Sequence, residues 1–322
     1  MSVPTQLRLW ICSHPRTCSN LLFRLLEGTE VIEQKRYGFL DAFYSGPERQ
    51  TAKPVKSCSV MDIDMEKRAR KTYQNAIEEF SEWVSETEVK GKIPVFKEHG
   101  FLFIPAETVN ANIEFWEPRR RFGTPKPPKI IQSITTPILW PTNLLSTFAV
   151  IITIRHPAKI LRSYVSINES LGEPTLEDAD LPMIASMKWQ RMVYDEVFRL
   201  QVNNCHGSPA PPIVVDGDCL VLEPRRIMEE IYNRLGLDAS QISLEWNPIR
   251  DVKWPNDRVR IGMEKVFGST GVIPNPDTSK LVDIVVEKVE WTRKWGAQIA
   301  GEMVRLVEES LDDYEYLLKK SI

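Results

Sequence analysis

The stretch LRLWICSHPRTCSNLLFRLL, residues 7–26, contains an apolar run, a short loop of polar residues, and a second apolar run. The spacing predicts a buried strand over Leu7–Cys12 and the first turns of a helix over Asn20–Leu26. In such a strand–loop–helix unit, the free N–H groups of the loop and the helix start converge on one spot, which favours phosphate or sulfate. The cation of Arg16 lies in that loop. The stretch therefore predicts either an anion site of the P-loop type or simply a tight strand-to-helix turn.

The rest of the chain alternates short apolar runs with helical patterns. FAVIITI (148–154) is typical of a central strand buried on both faces, and Pro157 suits the first position of a following helix. This alternation predicts an α/β fold, with a mostly parallel central sheet and helices on both faces. We expect a single domain over residues 1–322, with an insertion near 104–128 and C-terminal helices within 279–320.

Several helices follow from apolar residues at helical spacing. Glu66–Glu86 and Leu181–Val202 are each predicted to form one helix. The two C-terminal helices carry stripes that we interpret as core-facing. The first stripe is Leu281, Ile284, Val285, Lys288 and Val289, and the second is Met303, Leu306, Val307, Leu311, Tyr314 and Leu318.

The composition narrows the class of protein. Hydrophobic residues make up 42% and charged residues 26% of the chain, and the net charge is −3. This balance gives no support for a nucleic-acid partner, which usually requires a basic excess. Five cysteines without metal spacing indicate reduced thiols, and no uninterrupted apolar stretch is long enough to predict a membrane span. We expect a cytoplasmic protein without a signal peptide.

A nucleotide triphosphatase is disfavoured by the sequence. The Walker pattern GxxxxGK[ST] is absent from the chain, and the Gly91-Lys92 pair is followed by isoleucine. The lysine and the metal-binding hydroxyl of that pattern therefore have no substitute in register.

Two further patterns place polar side chains at strand ends. In IITIRHPAKILRS, Arg155 follows the central strand, where ligands collect in open parallel sheets, and Ser163 follows eight residues later on the helix. In PVFKEHG, Lys97 and His99 share one face of a strand, since residues i and i+2 point the same way. That pair suits a reaction in which a hydroxyl loses its proton to His99 while Lys97 balances developing charge. The alternatives are a structural histidine and an arginine that pairs with a nearby carboxylate.

Together these three pieces, in this order, resemble the PAPS-dependent sulfotransferases (PAPS is 3′-phosphoadenosine 5′-phosphosulfate). SHPRTCSN is similar to their 5′-phosphosulfate loop, which is a Pro-Lys/Arg-Ser-Gly-Thr-Thr type sequence. Arg155 and Ser163 match the two ends of their 3′-phosphate motif. Lys97-Glu98-His99 looks like the KxH sequence that carries their catalytic base. Arg260-Ile261-Gly262 is a weak echo of their Arg-Lys-Gly sequence.

The resemblance implies roles for these residues. His99 would be the general base, and Arg16 and Lys97 would stabilise charge on the transferred sulfuryl group. Donor-binding residues would be Arg16, Thr17, Cys18, Ser19, Asn20, Arg155, Ser163, Arg260 and Gly262. The implied cofactor is PAPS, with the bisphosphate PAP as product, without a metal, and the partner would be a small-molecule acceptor with a hydroxyl or amine.

Three positions depart from the family pattern. Cys18 replaces the loop glycine, and Asn20 and Leu21 replace a threonine and an aromatic residue. These changes leave open an enzyme of the same fold that has lost or repurposed PAPS, or a non-catalytic anion-binding protein. Six aromatic residues near the motifs would either line an acceptor pocket or belong to the core. They are Phe39, Phe43, Tyr44, Phe101, Phe103 and Trp140.

Overall fold

A computed structural model describes residues 6–51, 65–113, 138–203, 211–254 and 256–322. Within these residues one five-stranded sheet has the order β2-β3-β1-β4-β5, and all of its neighbouring strands are parallel. The predicted α/β fold is therefore confirmed. The strands are β1 (Leu9–Ser13), β2 (Ile32–Arg36), β3 (Ile93–His99), β4 (Ala149–Ile154) and β5 (Ile213–Asp216).

Helices connect the strands. They are α1 (Ser19–Leu25), α2 (Leu40–Tyr44), α3 (Met65–Ala69), α4 (Tyr73–Val89), α5 (Ala106–Asn112), α6 (Thr142–Leu145), α7 (Pro157–Ser170), α8 (Leu181–Ala185), α9 (Lys188–Asn203), α10 (Gly217–Leu222), α11 (Pro224–Leu235), α12 (Asp257–Gly268), α13 (Ile284–Trp295) and α14 (Ala297–Leu318). Of the predicted insertion at 104–128, only 104–113 is described, and its Pro- and Arg-rich part at 117–128 lies outside the described residues.

The sheet is covered by a hydrophobic cluster on each face. Trp10 and Cys12 of β1 belong to one cluster, and Leu9 and Ile11 belong to the other, since successive side chains of a strand point to opposite faces. All four are fully buried. This explains why β1 reads as a continuous apolar run instead of an alternating one.

Two helices predicted as continuous are in fact broken. Glu66–Glu86 contains two helices, because Thr72 accepts a hydrogen bond from Asn75 N–H and begins α4 with a capping box. Leu181–Val202 is broken between α8 and α9, where Ser186 has an extended backbone and Met187 N–H donates to Ser310 Oγ at 2.9 Å. In both places a local polar group offers the backbone an alternative to helical hydrogen bonds.

The predicted core role of the first C-terminal stripe is wrong. Leu281 is 98% exposed, and Val285 and Val289 of α13 are largely exposed as well. The second stripe is mostly buried, with Met303 and Val307 of α14 fully covered. Helix α14 packs against α7, α9 and α13. Helix α13 therefore forms an outer layer over α14, and most of its apolar stripe stays exposed to solvent.

The strand order fixes where a ligand can bind. From β1 the chain proceeds toward β2 on one side of the sheet, and from β4 it proceeds toward β5 on the other side. Adjacent strands whose connections leave in opposite directions open a crevice at their carboxyl ends. Residues that follow β1 and β4 meet at that crevice. No helix among the described residues is both long and apolar enough to span a membrane.

Candidate active site

The loop after β1 has an unusual backbone. Arg16 and Cys18 both have positive φ angles, 65° and 58°, although neither is glycine. The backbone N–H groups of residues 16–20 have no hydrogen-bond acceptor among the described residues. Successive N–H groups around left-handed residues form a concave anion-binding nest. The loop therefore carries unpaired donors suited to a phosphate or sulfate group.

The loop is held in place by its neighbours. Thr17 Oγ1 donates to His14 O at 2.7 Å and lies 2.7 Å from Thr153 Oγ1 on β4. A Cβ added at Gly217, the first residue of α10, would lie 2.6 Å from Thr17 O. Only glycine fits at position 217, because the turn after β5 packs directly on the loop backbone.

His99 ends β3 next to this loop. Its Nδ1 lies 2.8 Å from Ser13 Oγ, and its ring stacks on Phe101 at a centroid distance of 5.4 Å. Burial holds the pKa of His99 well below 6.5, and the nearby Lys97 and His14 lower it further. The imidazole is therefore neutral at neutral pH, which a general base requires.

The hydrogen bonds of Ser13 bear on the tautomer of His99. Ser13 has one hydroxyl proton and lies within reach of Glu98 O, at 3.1 Å, and of His99 Nδ1. When Ser13 donates to the Glu98 carbonyl, Nδ1–H donates to Ser13 Oγ and Nε2 keeps its lone pair. Nδ1 is the ring nitrogen that contacts a side chain among the described residues, and the ring also forms a hydrogen bond with the backbone of Ser13.

Lys97 is fully buried and does not reach solvent. Its Nζ donates to Tyr37 Oη at 2.6 Å and lies 4.3 Å from the centroid of the Tyr37 ring. Burial lowers the pKa of Lys97, and the neighbouring Arg36 lowers it further. Tyr37 thus separates Lys97 from the space in front of His99.

A first cavity of about 660 Å³ opens beside the loop and His99. Arg16, Ser19 and Asn20 line it from the loop, and Tyr37, His99 and Phe101 line it from the β2–β3 side. Its opposite wall includes α12, with Arg258, Gly262 and Phe267. The first cavity therefore joins the free N–H groups of the loop, a cation and a neutral imidazole in one space.

A second cavity of about 560 Å³ lies on the other side of Arg16. Arg155 and Ser163 line this cavity and not the first. Asp218 pairs with two of its cations: Oδ1 accepts from Arg155 Nε at 2.8 Å, and Oδ2 accepts from Lys159 Nζ at 2.6 Å. Arg16 Nε donates to Ser163 Oγ at 2.8 Å. Arg16 therefore stands between the two cavities.

The Arg260-Ile261-Gly262 segment is divided in the structure. Arg260 pairs with Asp257 and Glu264 on the exposed side of α12 and lines neither cavity. Gly262 lines the first cavity, where an added Cβ would lie 3.5 Å from Arg16 Nη1. The arginine of α12 that does line the first cavity is Arg258, which donates to Asn168 Oδ1 at 2.7 Å.

The chain aligns over nearly its full length with two curated fungal proteins. Sulfotransferase ppzF of Metarhizium majus (strain ARSEF 297) is 25% identical over 339 residues, covering 96% of this chain and 95% of that protein. Sulfotransferase ppzF of Metarhizium rileyi (strain RCEF 4871) is 24% identical over 344 residues, covering 96% and 94%. Over nearly its full length, the chain is therefore similar in sequence to these two sulfotransferases.

Solved sulfotransferases also align with most of the chain. The sulfotransferase domain of the Synechococcus PCC 7002 olefin synthase covers 92% of this chain and 96% of its own, with a TM-score of 0.42 and 12% identity. The sulfotransferase from Alicyclobacillus acidocaldarius covers 98% and 100%, with a TM-score of 0.42 and 13% identity. No family model matches the chain.

Sequence reasoning missed three residues of this candidate site. Tyr37 was missed because nothing in RYGF marks it as cavity-facing, and Asp218 because its partner Arg155 is 63 residues away in the chain. Gly217 was missed because its proximity to Thr17 exists only in the folded chain. Of the six aromatic candidates, Tyr44 and Phe101 line the first cavity, while the others are buried in the core.

Cysteines and metal ligands were also part of the sequence expectations. Cys12, Cys18 and Cys219 are free thiols, and the remaining two cysteines lie outside the described residues. Within the described ranges, no cluster of three or more His, Cys, Asp or Glu side chains is arranged to hold a metal ion.

Proposed function

We propose that this protein transfers a sulfuryl group from PAPS to a hydroxyl or amine of a small-molecule acceptor. The observation that carries the proposal is the first cavity, onto which the phosphate loop, Arg16 and the neutral imidazole of His99 all open. Bound PAPS would supply the activated sulfuryl group: its bond to the bridging phosphate oxygen breaks, a bond to the acceptor forms, and PAP leaves.

The loop residues are suited to the 5′-phosphosulfate. The N–H groups of residues 17–20 are free of partners among the described residues, and Ser19 and Asn20 line the cavity beside them. Asn20 Oδ1 is buried without a hydrogen-bond partner, so this oxygen can accept from a donor group of a ligand, whereas only the amide Nδ2 can donate to a phosphosulfate. Arg16 adds the positive charge that favours an anion. Preorganised donors and positive charge of this kind provide most of the catalysis in such transfers.

His99 is the proposed general base. Its Nε2 takes the proton from the acceptor hydroxyl or amine, while Nδ1–H donates to Ser13 Oγ and holds the ring in orientation. Lys97, two residues before His99 on β3, supplies positive charge behind the cavity wall. The acceptor would occupy the part of the cavity near Tyr44 and Phe101. The odd number of cysteines is consistent with a cytoplasmic enzyme.

Arg155 and Ser163 are the proposed 3′-phosphate contacts. Asp218 has two cationic partners, so Arg155 can turn to a phosphate while Lys159 still neutralises the carboxylate. The hydrogen bond from Arg16 Nε to Ser163 Oγ would break when the 3′-phosphate binds. Gly262 lies beside Arg16. To reach the nucleotide, Arg260 would have to give up its solvent-exposed ion pairs with Asp257 and Glu264, and such pairs stabilise a protein only weakly.

One observation favours a second candidate, a sulfotransferase-fold protein that uses a different nucleotide. Asp218 already engages Arg155 and Lys159, and a carboxylate near a phosphate site repels a 3′-phosphate. In that case the pocket would take a ligand with a hydroxyl where PAPS carries the phosphate, and Asp218 would accept a hydrogen bond from it.

Calorimetric titration with PAP, ATP and AMP distinguishes these candidates. PAPS use predicts that PAP binds most tightly and that Arg155→Ala weakens PAP about tenfold or more, because a charge-assisted hydrogen bond is lost. Arg305→Ala, on the exposed face of α14, is the matched control and should leave PAP affinity unchanged. Equal binding of all three nucleotides, or none, would contradict the proposal. Preference for AMP would support the second candidate.

A further inference from the structure

The contact between Lys97 and Tyr37 has a direction. While Lys97 is protonated, its ammonium has three donors and no acceptor, so Tyr37 Oη is the acceptor at 2.6 Å. The hydroxyl proton of Tyr37 therefore cannot point at Lys97 and remains available to another partner. Tyr37 lines the first cavity, whereas Lys97 lines neither cavity. A ligand in the first cavity is the partner that this proton can reach.

Lys97 has no other strong partner. Among the described residues, no carboxylate lies within ion-pair distance of its Nζ, and its side chain is fully buried. Glu98 follows it on β3 but accepts from Phe39 N–H and His99 N–H. A buried cation without a carboxylate is costly, unless it serves a charge that arrives with a ligand.

Tyr37 is fixed relative to His99. Its backbone N–H donates to Lys97 O at 3.1 Å, and its φ of 54° is one that side-chain-bearing residues seldom adopt. Its ring centroid lies 5.4 Å from that of His99, whose other neighbour is Phe101. The hydroxyl of Tyr37 and the imidazole of His99 therefore belong to one wall of the cavity, at a fixed spacing.

We propose that Tyr37 is a catalytic residue that donates a hydrogen bond to an oxygen of the transferring sulfuryl group, with Lys97 as the positioning residue beneath it. This inference rests on the proposed function and deepens it, because it assigns the contact with the sulfuryl group to Tyr37. Lys97 acts through Tyr37 in two ways. It holds the hydroxyl in orientation, and its charge polarises the O–H bond so that Tyr37 becomes a stronger donor.

The arrangement makes the donor depend on the protonation of Lys97. Burial and Arg36 on β2 lower the pKa of Lys97 from its ordinary 10.5, while Glu98 raises it, and burial keeps Tyr37 protonated by raising its pKa. His99, on the same face of β3, is neutral. Once Lys97 loses its proton, its amine can accept from Tyr37, and the hydroxyl no longer points into the cavity.

The decisive variant is Tyr37→Phe, which keeps the ring against Lys97 and His99 and removes only the hydroxyl. The ratio of PAPS to PAP affinity, measured by calorimetry without acceptor, should fall about tenfold, because only PAPS carries the sulfuryl group. Reverse transfer from 4-nitrophenyl sulfate to PAP should slow about 10²-fold in kcat, with a smaller change in KM. Tyr316→Phe is the matched control, since Lys320 Nζ lies 4.5 Å from the centroid of that ring, and both quantities should stay unchanged.

Lys97→Met tests the positioning role. It should lower kcat as much as Tyr37→Phe, and the double variant should be no slower than either single variant, because the two residues act as one unit. In the wild type, kcat should fall as pH rises through the lowered pKa of Lys97, and this decline should be absent in Tyr37→Phe. If Lys97→Met does not fold, Tyr37→Phe still decides the matter.

The failures are distinguishable. If the wild type does not bind PAP, the proposed function itself is wrong. If the wild type binds PAP and PAPS, and Tyr37→Phe keeps the same affinity ratio and the same kcat, the assignment of Tyr37 is overturned while the proposed function stands.

Discussion

The two cavities beside Arg16 use charge in opposite ways. In the first cavity the reactive groups are uncharged or hidden: His99 is neutral, and Lys97 lies fully buried behind Tyr37. In the second cavity the cations are numerous and many are already paired. Its basic residues are Arg155, Lys159, Arg162, Arg293 and Lys294.

The two cavities differ in what sets the protonation states and positions of their side chains. Burial sets the protonation states in the first cavity, because removing water disfavours the charged imidazole and the charged amine. Ion pairs hold the cations of the second cavity in place, with Asp218 serving both Arg155 and Lys159. The first cavity therefore combines a group for proton transfer with the anion-binding loop, and the second offers cations for a further anionic group. Each of the following variants tests one side of this division.

The largest effect is expected for His99→Ala in the first cavity. Loss of the base should lower kcat by about 10² to 10⁴, while PAP affinity stays within about twofold, because the proposed PAP contacts are the loop N–H groups, Arg155 and Ser163, and not His99. Since the pKa of His99 lies well below 6.5, protonation of His99 on the acidic side should reduce wild-type kcat only at pH values well below 6.5. Steady-state kinetics over pH, with calorimetry for PAP, checks both. An equal loss of turnover and PAP binding would argue against the role of His99 as a base.

Asp218→Asn should have the next largest effect. Arg155 and Lys159 would be left buried without their shared carboxylate, which should cost about 3 kcal/mol of stability. PAP should bind more tightly than to the wild type and should raise Tm by a larger amount, because its phosphate replaces the lost charge. Asp277→Asn is the control: Asp277 lines the same cavity but is 38% exposed, and thermal denaturation should change little. Weaker binding of AMP to Asp218→Asn than to the wild type would instead support the candidate in which Asp218 accepts a hydrogen bond from a nucleotide hydroxyl.

Gly217→Ala tests the loop that lies between the cavities. The new Cβ would lie 2.6 Å from Thr17 O, so the loop backbone must shift, at a cost of about 1–3 kcal/mol. PAP affinity should fall together with stability, since the N–H groups of the loop move. Gly301→Ala on α14 meets no atom within 4 Å and should be neutral or slightly stabilising by chemical denaturation. Unchanged PAP binding in Gly217→Ala would mean that the loop does not hold the nucleotide.

The smallest effect is expected for Cys18→Gly. Cys18 has φ 58° and ψ 16°, a left-handed conformation that costs a residue with a Cβ about 1–2 kcal/mol. Glycine removes that cost but gains freedom in the unfolded chain, so a net stabilisation of about 0.5–1 kcal/mol is expected in urea denaturation. PAP affinity should be retained because the backbone N–H remains. A loss of stability would show that packing of the Cys18 side chain outweighs the backbone strain.

Much of the fold could be predicted from local pattern. The apolar runs at β1 and β4, Pro157 at the start of α7, and Gly236 after α11 all signal their elements directly. The errors arose where a local signal competed with context. The stripe that includes Val285 and Val289 has the spacing of a buried face. It stays exposed because α13 packs on the outside of α14 and nothing among the described residues covers this stripe.

Residue types alone determined which groups this chain can use: an arginine and a hydroxyl in the β1 loop, and a histidine at the end of β3. The relations among these groups were decided only by tertiary structure. Arg16 divides the two cavities, Asp218 occupies Arg155 and Lys159, and Tyr37 covers Lys97. Spacing along a strand or helix predicts which side chains share a face, because backbone geometry is local. Spacing cannot predict which side chain from a distant part of the chain packs against a given residue, since that depends on how the layers of the fold pack.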